Sequence, residues 1–385
     1  MDDLETRLGE VLAGPGEARP PAGLAGRVHA GVVTRRRRRR AVAAGACVLA
    51  LAVAIPLTVR QASDPGRTTV AASAGGIADL VDLPGSIALP PRTPEGTTFF
   101  PEVIGEDGSV LGRTDQDKKV WAAGPHTQEL QPVTDAAAQV LGTGEGGLRL
   151  WAGASSAYPL SCQDASGATS DPSPQGYDPA GPFWVSHGWV AANDPMRQPW
   201  TAKGCAKGTT VSGQGRFSSG HAVAFAYPDL FVAEESNDRV VRQVDVESGR
   251  EVAERPLPEG VPPVTMADPG KDWLAAANGS TFAWVVDRTL RTAPRDTWTP
   301  TTVPVKLPTA TPVTVQQTTV PQAKLTMGDR LIAYTALELE VGWKSVVHDP
   351  VTGRSVELPG RAYAAGEWLV WQDGDSYRLA RALTQ

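Results

Sequence analysis

Six consecutive arginines, Arg35, Arg36, Arg37, Arg38, Arg39 and Arg40, run without a spacer into nineteen uncharged, mostly apolar residues, 41–59. A helix rises ~1.5 Å per residue, so this run would be roughly 28 Å long and matches a hydrocarbon core of about 30 Å. It reads as a single transmembrane helix. The positive-inside bias then holds residues 1–40 in the cytoplasm and places residues 60–385 outside, as a single-pass protein of the cell membrane. A cleavable signal peptide is the competing reading, with Ala52-Val53-Ala54 as its small-x-small site. Such peptides have an apolar core of about 7–15 residues and no forty-residue polar region ahead of it, which favours an uncleaved anchor. Cys47 follows Ala44-Gly45-Ala46 with no leucine before it, so it reads as a small helix residue and not as a lipid-bearing one.

Charge divides at the same place. Residues 1–40 hold nine arginines against five carboxylates, which leaves 27 basic and 37 acidic residues for the rest of a chain of net charge −6. An acidic exported part is a poor partner for nucleic acid or anionic lipid. High Ala, Gly, Pro and Arg usage with few Lys resembles that of high-GC bacterial genomes and fits a cell envelope.

Within the tail, Leu4, Leu8, Val11 and Leu12 share one face of a 3.6-residue period behind Asp2 and Asp3, and Gly14-Pro15-Gly16 ends that helix. Leu24, Val28 and Val32 suggest a second. Two such short helices cannot bury a core, so they fray or dock on a partner. The layout resembles the juxtamembrane segments of actinobacterial membrane proteins related to anti-sigma factors. His29, however, has no cysteine near it to complete the zinc-binding anti-sigma pattern.

Residues 60–76, rich in Ala, Ser, Thr, Gly and Pro, read as a flexible linker. From residue 77 the turn signals become regular. Val103-Ile104, the turn Gly105-Glu106-Asp107-Gly108, Val110, a run around Trp121 and a fourth from Gln128 to Val133 make four short strands in about thirty residues, one blade of a β-propeller. The same grammar returns at Ile332, at Trp343 to His348 and at Val356 to Leu358. The turn Asp-x-x-Ser/Thr-Gly-Arg occurs twice, at Asp245 and Asp349. Strand clusters fall near Val120, Leu150, Trp189, Phe225, Leu274, Ile332 and Leu369, a period of about thirty to sixty residues that indicates a repeat architecture. We therefore expect an all-β ectodomain, residues 77–385, folded as a propeller of seven blades, with six as the runner-up. Residues 297–321 would be a long loop or extended edge. The last unit shows only three strands, so residues 77–83 or 87–89 should supply its fourth.

These turns, with Trp or Val/Ile runs beside them, look like the blades of WD40-like, TolB-like and quinoprotein-like propellers. The resemblance implies the architecture. No Trp-Asp dipeptide ends a blade, the quinoprotein pattern lacks its tryptophan at Asp245 and Asp349, and no sialidase-type Asp box is present.

Cys162 and Cys205 are the two cysteines beyond the anchor, and in an exported domain they are expected to pair. The closed loop of about 44 residues would stabilise the fold by roughly 4 kcal/mol. The densest aromatic group, Trp184, His187 and Trp189 with Trp200 nearby, offers ligand contacts if exposed on a loop, but the alternation of Trp184, Ser186 and Gly188 suits one face of a strand and favours core packing. Glu234, Glu235 and Asp238, and separately Glu338 and Glu340, are carboxylate groups of the kind glycosidases use, but each alternates along a strand or ends one and reads as solvated. His126, His187, His221 and His348 are scattered, so neither a metal nor a cofactor is expected. The resulting expectation is a non-enzymatic, membrane-anchored binding module for a protein or glycan of the cell envelope. The alternatives are an exported propeller enzyme acting on a glycan, lactone or alcohol, or an anti-sigma-like protein working through its tail.

Overall fold

The computed structural model describes residues 74–384, apart from 115–118, 128, 135–136, 145–147, 154–159, 165, 171–182, 194–199, 206–209, 213–219, 235–239, 258–273 and 316–317. The arginine run, the apolar segment 41–59 and the linker to residue 73 lie outside the described residues. Among the described residues no helix is long and apolar enough to cross a membrane.

Seven four-stranded antiparallel sheets make up this part. Blade 1 is Phe99–Ile104, Val110–Thr114, Val120–Ala123 and Gln131–Thr134, taken from the innermost strand outward. Blade 2 is Ala137–Gly144, Leu148–Gly153, Leu160–Gln163 and Thr169–Ser170. Blade 3 is Phe183–Ser186, Trp189–Ala192, Thr201–Gly204 and Thr210–Ser212. Blade 4 is Gly220–Ala226, Asp229–Glu234, Val240–Asp245 and Arg250–Pro256, and blade 5 is Leu274–Ala277, Thr281–Val286, Thr289–Pro294 and Thr301–Thr302. Blade 6 is Ala323–Met327, Ile332–Glu338, Gly342–Asp349 and Arg354–Pro359. Blade 7 is Ala362–Ala365, Trp368–Asp373, Ser376–Arg381 and, from the other end of the chain, Ile87–Leu89. Each innermost strand neighbours the next around the circle, and that of blade 7 neighbours that of blade 1, so the ring is closed. The fold is a seven-bladed β-propeller.

Closure follows the expected route. Ile87, Ala88 and Leu89 pair with Leu379, Arg378 and Tyr377, and Val81 forms a further antiparallel bridge to Ala382. Upstream, Ala74–Ile77 is a single helical turn. Ile77, Leu80 and Val81 are buried in the packing between blades 6 and 7, and Leu89 in that between blades 7 and 1. A sheet with apolar neighbours on both sides needs apolar residues on both faces, which is why the second strands of blades 3 and 6 read as buried runs and the outermost strand Arg250–Pro256 alternates with solvent.

The repeated aspartate turn has a physical reason. Asp245 Oδ1 accepts from the Ser248 amide and hydroxyl at 2.7 and 2.8 Å, while Asp349 accepts from the Val351 amide and the Thr352 hydroxyl, both at 2.9 Å. The following Gly249 and Gly353 take φ of 68° and 70°, a region that a Cβ makes costly. Each turn joins the third strand to the outermost one. Blade 2 carries a third version, Asp164 with Ser166, whose spacing differs by one residue. Residues 297–321 are more structured than expected. Thr301–Thr302 completes blade 5, Val303 and Leu307 are buried between blades 5 and 6, and Pro312–Val315 with Thr318–Pro321 forms a separate two-stranded sheet.

Candidate binding face

Because every blade runs outward from its innermost strand, the turns from first to second strand all lie at the same end of the ring. They are hydrogen-bonded to one another almost all the way around. Ser109 Oγ of blade 1 lies 2.6 Å from Thr143 Oγ1 of blade 2. Ser186 of blade 3 donates to Glu106 Oε1 of blade 1 at 2.9 Å and accepts from the Tyr227 amide of blade 4 at 3.2 Å. Arg295 of blade 5 pairs with Asp229 of blade 4 and donates to the Asn278 carbonyl of its own blade. Asn278 Nδ2 donates to the Gly328 and Asp329 carbonyls of blade 6, whose Asp329 amide donates to the Gly366 carbonyl of blade 7. Gly366 packs on the Glu106 backbone, so tightly that a Cβ there would lie 2.4 Å from the Glu106 carbonyl oxygen.

On this face one group stands out as accessible. His187 occupies a two-residue turn at φ 47° ahead of Gly188, and its Nδ1 lies 2.8 Å from Glu106 Oε2. Its ring stacks on Tyr227, with centroids 5.0 Å apart and planes 17° from parallel. The Tyr227 hydroxyl donates to Glu247, and that bond, followed by partial desolvation and the charges of Glu247 and Asp245, raises the phenol above its ordinary range. Side chains of His187 and Glu106 are 39% and 30% exposed, enough for a ligand to touch both. Two aromatic rings edged by carboxylates can stack on a flat partner and accept hydrogen bonds from it.

The sequence-based expectations divide here. His187 is at the surface as expected. Trp189 and Trp200, offered as ligand contacts, instead follow the core-packing reading: they are buried between blades 3 and 4, with Trp184 packed partly buried against them, because their strands face the neighbouring blade. Glu338 is neutralised by Lys344 at 2.9 Å and accepts from the Thr309 amide, and these bonds hold its carboxyl below the usual range. Glu235 and Asp238 lie outside the described residues. His348 is buried against Ser355, and His221 is buried in the innermost strand of blade 4. Cys162 and Cys205 form the expected disulfide, joining blade 2 to the end of the third strand of blade 3.

Glu106 and Tyr227 were not foreseen. Glu106 sits in a stretch that shows only a hairpin signal, and Tyr227 in a turn marked only by Pro228. A third unforeseen residue is Lys324, on the innermost strand of blade 6 and exposed to the central channel. Its Nζ donates to the Glu102 carbonyl of blade 1 at 3.0 Å and lies 5.1 Å over the Tyr363 ring of blade 7. The side chain keeps solvent access in the channel, but the inner strands of blades 1, 6 and 7 crowd the ammonium. That desolvation, reinforced by Arg361 and opposed by Glu102, lowers its pKa to about 8.

No family model matches the chain, and no curated protein does. Among solved structures, the chain is similar to PorZ, a surface component of the type-IX secretion system of Porphyromonas gingivalis, at 9% identity and TM-score 0.46 over 78% of this chain and 39% of that one. It is also similar to the computationally designed Ika8 protein, at 11% identity and TM-score 0.42 over 71% of this chain and 93% of that one. The chain thus spans well under half the length of PorZ.

Proposed function

We propose that this chain is a bacterial, single-pass membrane protein whose extracytoplasmic propeller binds a protein or glycan of the cell envelope, without catalysis, through the face built by its first turns. The observation that carries this reading is the half-exposed cluster of Glu106, His187 and Tyr227. Three blades contribute to it, and its polar aromatic surface is open to solvent, whereas Trp189 and Trp200 close by are buried between blades. Sugar hydroxyls or peptide amides would donate to Glu106 and Glu247 as their carrier stacks on the rings. The arginines at 35–40 and the apolar run after them would tether the propeller, and residues 1–34 would report binding to a cytoplasmic partner. The acidic charge outside the membrane argues against nucleic acid.

A specific observation favours the enzyme alternative: Lys324, facing the channel beside Glu102 with its pKa drawn down to about 8, has the character of a base. One set of experiments separates the readings. A reporter fused after Gln385 is expected to be active only when exported, with carbonate-washed membranes retaining the protein. Release of a soluble fragment beginning near Ile55 would instead establish a cleaved signal. The full-length protein, screened in detergent on glycan arrays and against purified envelope proteins, should give a ligand whose affinity falls about tenfold or more in His187→Ala and Tyr227→Ala. If the ligand is retained by both variants, the face is misassigned. If it is turned over by wild type and left intact by Lys324→Met, the enzyme reading replaces this one.

A further inference from the structure

Blades 4 and 5 part to leave a groove of about 560 Å³ that shares Arg295 with the first-turn face but includes none of Glu106, His187 and Tyr227. In blade 4 the pairing sets Arg255 opposite Val241 and Ala253 opposite Gln243. Val241 is buried against blade 5, so Arg255, Ala253 and Gln243 share the face that looks toward blade 5. The far wall is the Gly279-Ser280-Thr281 turn and Pro294, Arg295 and Asp296.

The two arginines of this groove are in different situations. Arg295 is satisfied: it pairs with Asp229, donates to the Asn278 carbonyl and lies 5.1 Å over the Phe231 ring. Arg255 is half-buried and has no carboxylate partner among the described residues. One Nη donates to the Arg295 carbonyl at 3.2 Å, and its Nε is buried with no acceptor among the described residues. The Gln243 amide beside it is likewise unpartnered among the described residues. Buried donors go without acceptors rarely, because the lost solvation is not returned. A guanidinium left in this state beside a free amide, in a groove wide enough for a small molecule, is a donor set awaiting an acceptor.

Charge narrows what that acceptor is. With Arg295 neutralised by Asp229, the described residues of the groove offer one free cation, Arg255, and one carboxylate, Asp296. A phosphate or sulfate dianion would leave a net negative charge beside Asp296 after pairing with Arg255, whereas the single charge of a carboxylate is balanced by Arg255, which leaves Asp296 to accept from a donor on the same molecule. We propose that the groove between blades 4 and 5 binds a small monocarboxylate carrying a hydrogen-bond donor, of the size of a sugar acid or a peptide carboxyl terminus. Arg255 and Gln243 hold the carboxylate, and Asp296 takes the hydroxyl or amide N–H.

Calorimetry on the full-length protein in detergent tests this with two pairs of probes: glucuronate against glucose, and acetyl-alanyl-alanine against its carboxamide. At least one acid is expected to bind about tenfold or more tightly than its neutral counterpart, and which one does so identifies the source. Arg255→Gln should remove the preference, and the exposed-charge control Arg354→Gln should keep it. Arg255→Met should melt at or above the wild-type temperature, because a residue held for binding leaves the fold no worse when its unpaired charge is removed. The proposal is overturned if neither acid is preferred, if Arg255→Gln retains the preference, or if Arg255→Met melts more than about 5 °C lower, which would make the residue structural.

Discussion

Removal of residues 75–90 is expected to abolish cooperative unfolding of the propeller. The deletion takes away Ile87–Leu89, the outermost strand of blade 7, and exposes the edge of Ser376–Arg381. It also empties two inter-blade cores at once. Ile77 at 4%, Leu80 at 1% and Val81 at 1% exposure leave the packing between blades 6 and 7, and Leu89 at 1% leaves that between blades 7 and 1. Loss of one large buried aliphatic side chain typically costs about 2–5 kcal/mol, so four exceed most of a margin of about 5–15 kcal/mol. Circular dichroism melting should show a broad, non-cooperative loss of signal, with aggregation, whereas a protein lacking residues 1–34 melts as the parent does. A cooperative transition at the parent temperature in the first deletion would mean that the ring does not depend on its closing strand.

Asp349→Ala is expected to lower the melting temperature by roughly 10 °C. Asp349 is 1% exposed, and its Oδ2 accepts from Arg330 Nε at 3.0 Å and from a second Arg330 nitrogen at 2.8 Å. Arg330 in turn donates to the Leu383 carbonyl, so one guanidinium ties blade 6 to the end of the chain that completes blade 7. Truncating the aspartate strands a half-buried arginine, typically a loss of about 3–5 kcal/mol, and removes the cap of its turn as well. Arg330→Met combined with Asp349→Ala should recover part of the loss, since the stranded charge goes with it. Stability of the wild type carries a matching pH signature. Burial opposes the Asp349 charge, but hydrogen bonds from Arg330, Thr352 and the Val351 amide outweigh it and leave the pKa below the ordinary value. A depressed carboxylate contributes fully above the unfolded-state pKa of about 3.9 and loses that contribution as pH falls through the folded value. The difference in melting temperature between wild type and Asp349→Ala should therefore be constant from pH 5 to 7 and shrink below about pH 4. A difference independent of acid would assign the effect to packing alone.

The blade pattern was legible because each blade is a local meander. Four strands and three turns lie within a few dozen residues, so the signals that specify them, the Asp-Gly turn after Ile104 or the aspartate turns at Asp245 and Asp349, are contiguous in the chain. Closure was legible for a related reason: a last unit one strand short needs a partner, and residues 77–89 were the unassigned apolar segment. The aromatic group was legible only as a choice between ligand contact and core packing, because the alternation of Trp184, Ser186 and Gly188 marks a strand face, and only the position of the neighbouring blade shows that Trp189 and Trp200 are covered.

Sequence alone determined the repeated four-strand unit, the turn chemistry, the pairing of Cys162 with Cys205 and the region that closes the ring, all of which follow from local pattern or from counting, whereas the choice of seven blades over six came from the structure. Tertiary structure decided the sites. Glu106 and Ser186 are 80 residues apart and Arg295 and Asp229 are 66 apart, yet each pair meets because the ring brings first turns to one end. Arg255 stands beside Gln243 by strand register and beside Arg295 only by the packing of blade 5 on blade 4. Contacts between blades depend on the angle and closure of the whole ring, a quantity that no short window of residues encodes.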